Sequence, residues 1–131
     1  MPRRSKADEL LDFEIAFYEK LLRADPDFID VLIPLGEAYT RRGDYDKGLD
    51  VDRRLIRLRP EDPLVWYNLA CSYSLVNQLE PALETLRRAV TLGYRDLTHL
   101  QRDPDLVNVR RVKHYRQFLE SLATLAAARA S

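Results

Sequence analysis

One cysteine, one methionine, one tryptophan, two histidines and four glycines are spread over 131 residues, and each scarcity closes off a class of protein. The lone thiol, Cys71, has no partner for an internal disulfide, which agrees with a reducing compartment. His99 and His114 stand 15 residues apart, neither with a cysteine or second histidine at ligand spacing, so no zinc site is expected. The glycines never cluster into a phosphate-binding loop, and no nucleophile elbow is present. Charge of one sign is also missing: 21 basic residues balance 21 acidic ones, leaving no net field to draw the chain to nucleic acid or an anionic membrane. Apolar runs last only a few residues, against the roughly 20 that a membrane helix needs. The basic start, residues 1–6, meets Asp8 and Glu9 with no apolar signal core between. These absences lead us to expect a cytoplasmic, non-enzymatic protein with no cofactor and no metal, and a length of 131 residues fits one domain with a real core.

What is present is periodicity. Trp66, Leu69, Ala70 and Tyr73 recur at intervals of 3, 1 and 3, one stripe of a helix with a small residue among large ones. After Asn77, a turn-tolerant residue, Pro81 opens a second helix with Ala82, Leu86 and Ala89 on its apolar stripe. The pair forms a helical hairpin. The same pattern stands 34 residues upstream in Leu32, Leu35, Gly36 and Tyr39, then Gly43, Gly48 and Leu55, and Pro26 precedes Pro60 by the same offset. A large apolar residue, Leu, a small residue, an aromatic, a turn residue, Ala or Gly, and a closing Pro at this period resemble the tetratricopeptide repeat. The resemblance covers residues 29–96 clearly and both ends weakly. It implies an all-α solenoid of stacked antiparallel hairpins whose first helices line a concave, partner-binding face.

In order, residues 1–7 are expected to be a disordered polar lead. A helix over Asp8–Ala24, within an amino-terminal capping segment 8–25, is by register the second helix of a hairpin lacking its first. Glu14 holds the place of Gly48 and Ala82, where its carboxylate is expected to stay in water. Repeat 1 (29–62) has helices over Ile29–Arg41 and Tyr45–Leu58, with Gly43 left-handed, Asp44 as a cap and a kink at Pro34. Asp52 stands where repeat 2 has Leu86, and Arg53, Arg54 or a tyrosine hydroxyl could satisfy it. Repeat 2 (63–96) has helices over Leu64–Val76 and Glu80–Leu92. Over 97–131 a third repeat starts and fails at Asp103-Pro104-Asp105. A short turn through Leu106–Arg110 and a cap helix from Val112 to Ala128 follow, the tail fraying to Ser131.

Residues of the first helices that lie off the packing stripe are the candidate site. In repeat 1 these are Asp30, Ile33, Glu37, Thr40 and Arg41; in repeat 2 they are Leu64, Tyr67, Cys71, Ser74 and Leu75, with Asn68 at the edge. Tyr67 and Leu64 are expected to anchor a peptide, with Glu37 and Arg41 setting its orientation. The bland alternative is that these residues only cover the caps, with the last helix folded across the groove. Some proteins of the resembled family clamp a terminal carboxylate with Lys, Asn and Arg. Asn68 and Arg102 match that set, but Ile33, Glu37 and Thr98 do not, so a clamp is not expected. A different class of function is self-association, in which Leu10, Leu11, Phe13 and Phe17 of the unpaired first helix bury against a second copy. The basic cluster Arg110, Arg111, Lys113 and Arg116 reads as a solvated cap face rather than a phosphate site.

Overall fold

The computed structural model describes residues 4–130, with side chains through 128. The architecture is all-α: helices α1 (Lys6–Ala24), α2 (Ile29–Arg42), α3 (Tyr45–Leu58), α4 (Pro63–Leu75), α5 (Leu79–Leu92), α6 (Leu97–Leu100), a 3₁₀ turn (Pro104–Leu106), α7 (Val107–Arg110) and α8 (Tyr115–Ala130). No strand occurs among the described residues.

Local chemistry sets the boundaries. Ser5 caps α1 with its hydroxyl on the Asp8 amide, and Asp8 returns a bond to the Ser5 amide. The helix therefore starts two residues earlier than periodicity indicates, and of the expected disordered lead residues 1–3 lie outside the described residues. Gly43 at φ 88° and Asn77 at φ 62° make the left-handed turns that close the first helix of each hairpin. Asp44 does not cap α3; its carboxylate accepts from Arg42 Nε at 2.6 Å instead. Pro81 is the third residue of α5 rather than its opening, and α2 runs unbroken through Pro34. The last helix begins at Tyr115, since Val112–His114 is taken up by a tight turn, and it continues to Ala130, with Ser131 outside the described residues.

Helices α2/α3 and α4/α5 pack as two hairpins, α3 lies on α4, α1 on α2, and α8 on α5. The elements stack into a short solenoid. Gly36 lets the first hairpin close tightly: a Cβ there would meet Val51 at 3.3 Å and Asp52 Oδ1 at 3.4 Å. Two apolar clusters result. One joins Ile15 of α1 with Leu32, Leu35, Tyr39, Val51 and Leu55. The other joins Leu86 and Val90 of α5 with Leu100, Leu106, Val109 and Leu122 of the carboxy-terminal elements, and burying each such side chain contributes about 1.5–3 kcal/mol.

Helix α1 is asymmetric. Leu11 packs inward with Ile15 and Tyr18, whereas Leu10 and Phe13 are 68% and 73% exposed and Phe17 is also exposed. Leu11 therefore belongs to the core and not to an outward patch. Glu14 is not free in water; it takes both contacts of an ion pair from Arg41 of α2, at 3.1 and 3.3 Å.

Candidate functional site

Between repeats, where α3 meets α4, Asp52 is buried at 8% exposure. Its partner is the Ser72 hydroxyl, which donates to Oδ2. Neighbouring cations do not reach it, because residues one and two positions along a helix point elsewhere. Arg53 lies over the Tyr73 ring at 5.5 Å, and Arg54 bonds the Pro26 carbonyl. Burial pushes the Asp52 carboxyl up to about 7, the Ser72 bond opposing this and the charge of Glu37 adding to it. A signal for the pairing existed in the sequence. At the 34-residue offset Asp52 and Ser72 become Leu86 and Leu106, a polar pair traded for an apolar one.

The inner faces of α2 and α4 should form one continuous groove, but only half of it is open. The segment from α6 through α7 packs across the inner face of α4. Tyr67 stacks on Tyr94 with ring centroids 4.3 Å apart and planes within 6°, and its hydroxyl donates to Asp103 Oδ2 at 2.6 Å. The Cys71 thiol approaches the same oxygen at 3.7 Å. Asn108 Nδ2 donates to the Ser74 carbonyl at 3.0 Å, and Arg110 closes the segment by donating to the Leu100 carbonyl at 3.1 Å. Tyr67 is thereby only 4% exposed and Ser74 is fully buried. Tyr67 is a wall of the cleft and not a free anchor, and the cover comes from the α6–α7 segment rather than from the last helix.

What stays open is a cleft of about 550 Å³. Ile33, Glu37, Thr40 and Arg41 of α2 line one side, and Leu64, Tyr67, Asn68, Cys71 and Leu75 of α4 line the other. The structure thus brings together nine of the residues selected from the sequence; Asp30, exposed at the start of α2, and Ser74, sealed under Asn108, do not reach it. Within the cleft Leu64 is 60% exposed and Asn68 is exposed with no side-chain hydrogen bond among the described residues, while the Thr40 hydroxyl is turned back on the Gly36 carbonyl at 3.2 Å. Sequence reasoning missed the far wall: Asp62, His99, Asp103 and Asp105. Asp103 and Asp105 flank a proline where the third repeat breaks, and the break itself delivers them. Asp103 Oδ1 caps the Asp105 amide at 3.0 Å, and the chain turns back on α4.

Cys71 Sγ and carboxylate oxygens of Asp103 and Asp105 lie within 4.8 Å of one another, a spacing a metal ion can use. The thiol is held well above its ordinary range by burial and by the charges of Asp103 and Asp105. Asp103 Oδ2 already accepts from the Tyr67 hydroxyl and the thiol. Tyr67, Cys71 and Asp103 thus form a hydrogen-bonded cluster, with the Asp105 carboxylate beside it.

Residues 30–70 match a family model described as tetratricopeptide repeat, and residues 64–92 match a second model of the same description. A chloroplastic protein of Arabidopsis thaliana is 32% identical over 93 residues, 66% of this chain and 28% of that protein. The peroxisomal targeting signal receptors of Eremothecium gossypii and Saccharomyces cerevisiae are 33% and 30% identical over 63 residues, 48% of this chain and 11% and 10% of the receptors. The chain therefore spans only a fraction, from about a tenth to about a quarter, of the length of these curated relatives. No helix among the described residues is long and apolar enough to cross a membrane.

Proposed function

The chain is a tetratricopeptide repeat protein, and from that premise we propose that it is a non-catalytic adaptor of the cytoplasm that holds a peptide segment of a partner protein in the cleft between α2, α4 and α6. Repeats of this family are typically protein interaction modules, and two relatives are by name receptors for a targeting signal. The observation that carries the reading is the pairing, inside one cleft, of exposed Leu64 with the exposed amide of Asn68. An apolar side chain seated on Leu64, Ile33 and Leu75 loses contact with water, and the Asn68 amide can bond the peptide backbone as donor and acceptor. The test is affinity capture from a lysate of the source organism with wild type beside Leu64→Glu and Asn68→Ala. A partner captured by wild type and lost from both variants, with unchanged circular dichroism, is the expected result; equal capture by all three sinks the cleft.

A second reading has its own observation. Leu10, Phe13 and Phe17 lie exposed on the face of α1 where a hairpin would carry its first helix, Phe17 standing in the register of Val51, which meets α2 at Gly36. A second copy docking its α1 there would bury these three side chains. A doubled mass in solution, lost in Phe13→Glu, is the outcome that favours it.

A further inference from the structure

We infer that the peptide taken by this cleft presents a basic side chain, lysine or arginine, to the carboxylates of Glu37 and Asp105, with apolar neighbours seated on Ile33, Leu64 and Leu75. The inference rests on the peptide-binding reading above and adds the chemistry of the partner.

The chain as a whole is electrically balanced, with 21 residues of each sign, but the cleft is not. Glu37, Asp52, Asp62, Asp103 and Asp105 line it, and the basic residues among its lining are Arg41 and His99. Arg41 pairs through Nη2 with both Glu14 oxygens of α1. His99 Nε2 lies 3.3 Å from Asp103 Oδ2 and carries charge only when protonated. Of the carboxylates, Asp62 is occupied in capping the Leu64 amide at 2.9 Å, Asp52 is buried on Ser72, and Asp103 is held by the Tyr67 hydroxyl and the Asp105 amide. Glu37 and Asp105 have no hydrogen-bond or ion-pair partner for their side chains among the described residues, and Asp105 has a carboxylate neighbour, Asp103, within 4.8 Å.

Asp103 and Asp105, that close, repel in the empty cleft, and a cation on the free Asp105 carboxylate offsets the repulsion while gaining a charge-assisted bond. A guanidinium meets a carboxylate with its planar fork; an ammonium serves as a point charge. The half-buried position of Asp105 keeps the field from being fully screened by salt. The walls then separate the roles: Leu64, Ile33 and Leu75 take the apolar neighbours, and the floor sets the sign of the charge. The Asp105 carboxyl is raised first by burial and second by the charge of Asp103.

A randomised library of 12-residue peptides, selected in EDTA against the whole chain and counter-selected on Leu64→Glu, tests this. The expected result is a lysine or arginine beside apolar residues in the selected peptides, at least tenfold weaker binding when that residue becomes norleucine, and loss of the difference in Glu37→Gln/Asp105→Asn. On wild type alone, raising sodium chloride from 50 to 500 mM should weaken the lysine peptides severalfold and leave their norleucine versions within twofold, so the test survives a variant that folds badly. Selected peptides that depend on Leu64 but carry neutral or acidic residues would overturn the charge inference and leave the peptide reading standing. If no selected peptide depends on Leu64, both fall.

Discussion

The two hairpins are copies of one pattern at a 34-residue offset, yet they meet different neighbours and differ accordingly. Leu86 of the second hairpin is sealed with Leu106 of the cap into a dry cluster, while its counterpart Asp52 faces the counterpart of Leu106, Ser72, across the junction between repeats. On the inner side, Ile33 and Glu37 of α2 remain in an open cleft, whereas their counterparts Tyr67 and Cys71 are covered by the cap. The comparison teaches that the repeat pattern specifies the hairpin and the neighbour specifies the polarity. Where the stack ends, Leu86 meets an apolar cluster of the cap in place of the next repeat. Where it continues, a hydrogen-bonded polar pair is tolerated.

The harshest way to break the comparison is to give the second hairpin the first one's acid. Leu86→Asp places a carboxylate among fully buried leucines, and urea unfolding followed by Trp66 fluorescence should show a loss of at least about 3 kcal/mol. Adding Leu106→Ser should recover part of that loss if the pair is the unit. Next in size, Tyr67→Phe leaves Asp103 without its hydroxyl donor and should cost about 1–3 kcal/mol in the same assay, with the α6–α7 segment gaining amide exchange before the first hairpin does.

The junction itself can be read by pH. The Asp52 carboxyl lies at about 7 in the fold against an ordinary 3.8, so between these values the folded state holds a proton that the unfolded state has released. Stability from this group is therefore greatest at low pH and falls as pH rises toward 7, with a slope approaching about 1.4 kcal/mol per pH unit. Asp52→Asn, which still accepts from Ser72, should flatten this part of the profile; an unchanged slope would show that another group supplies it. The smallest effect separates the two turns. Gly43→Ala should cost about 1 kcal/mol at its left-handed φ, and Gly43→Asn less than about half of that, since Asn77 holds the same place in the second hairpin.

Much of the fold was legible because a 34-residue offset repeats apolar stripes, small residues and turn residues together, and such agreement needs no long-range contact to be seen. The open wall of the cleft followed from the same register. The covered wall did not: Tyr67 meets Asp103 across 36 residues, through a segment whose only sequence signature is that it breaks the pattern. Assigning Asp52 to Arg53 or Arg54 mistakes nearness in sequence for nearness in space. Its true partner lies on the next hairpin, and only the joint substitution at 86 and 106 points to it.

Cys71 gives the cleft a chemical reporter. The thiol is raised in pKa and only 7% exposed where it lines the cleft beside Tyr67 and Asp103, so a sulfhydryl reagent meets a neutral, nearly covered thiol and labels it slowly. With one thiol in the chain, that labelling reports a single place. Any occupant of the cleft that covers this wall will slow it further.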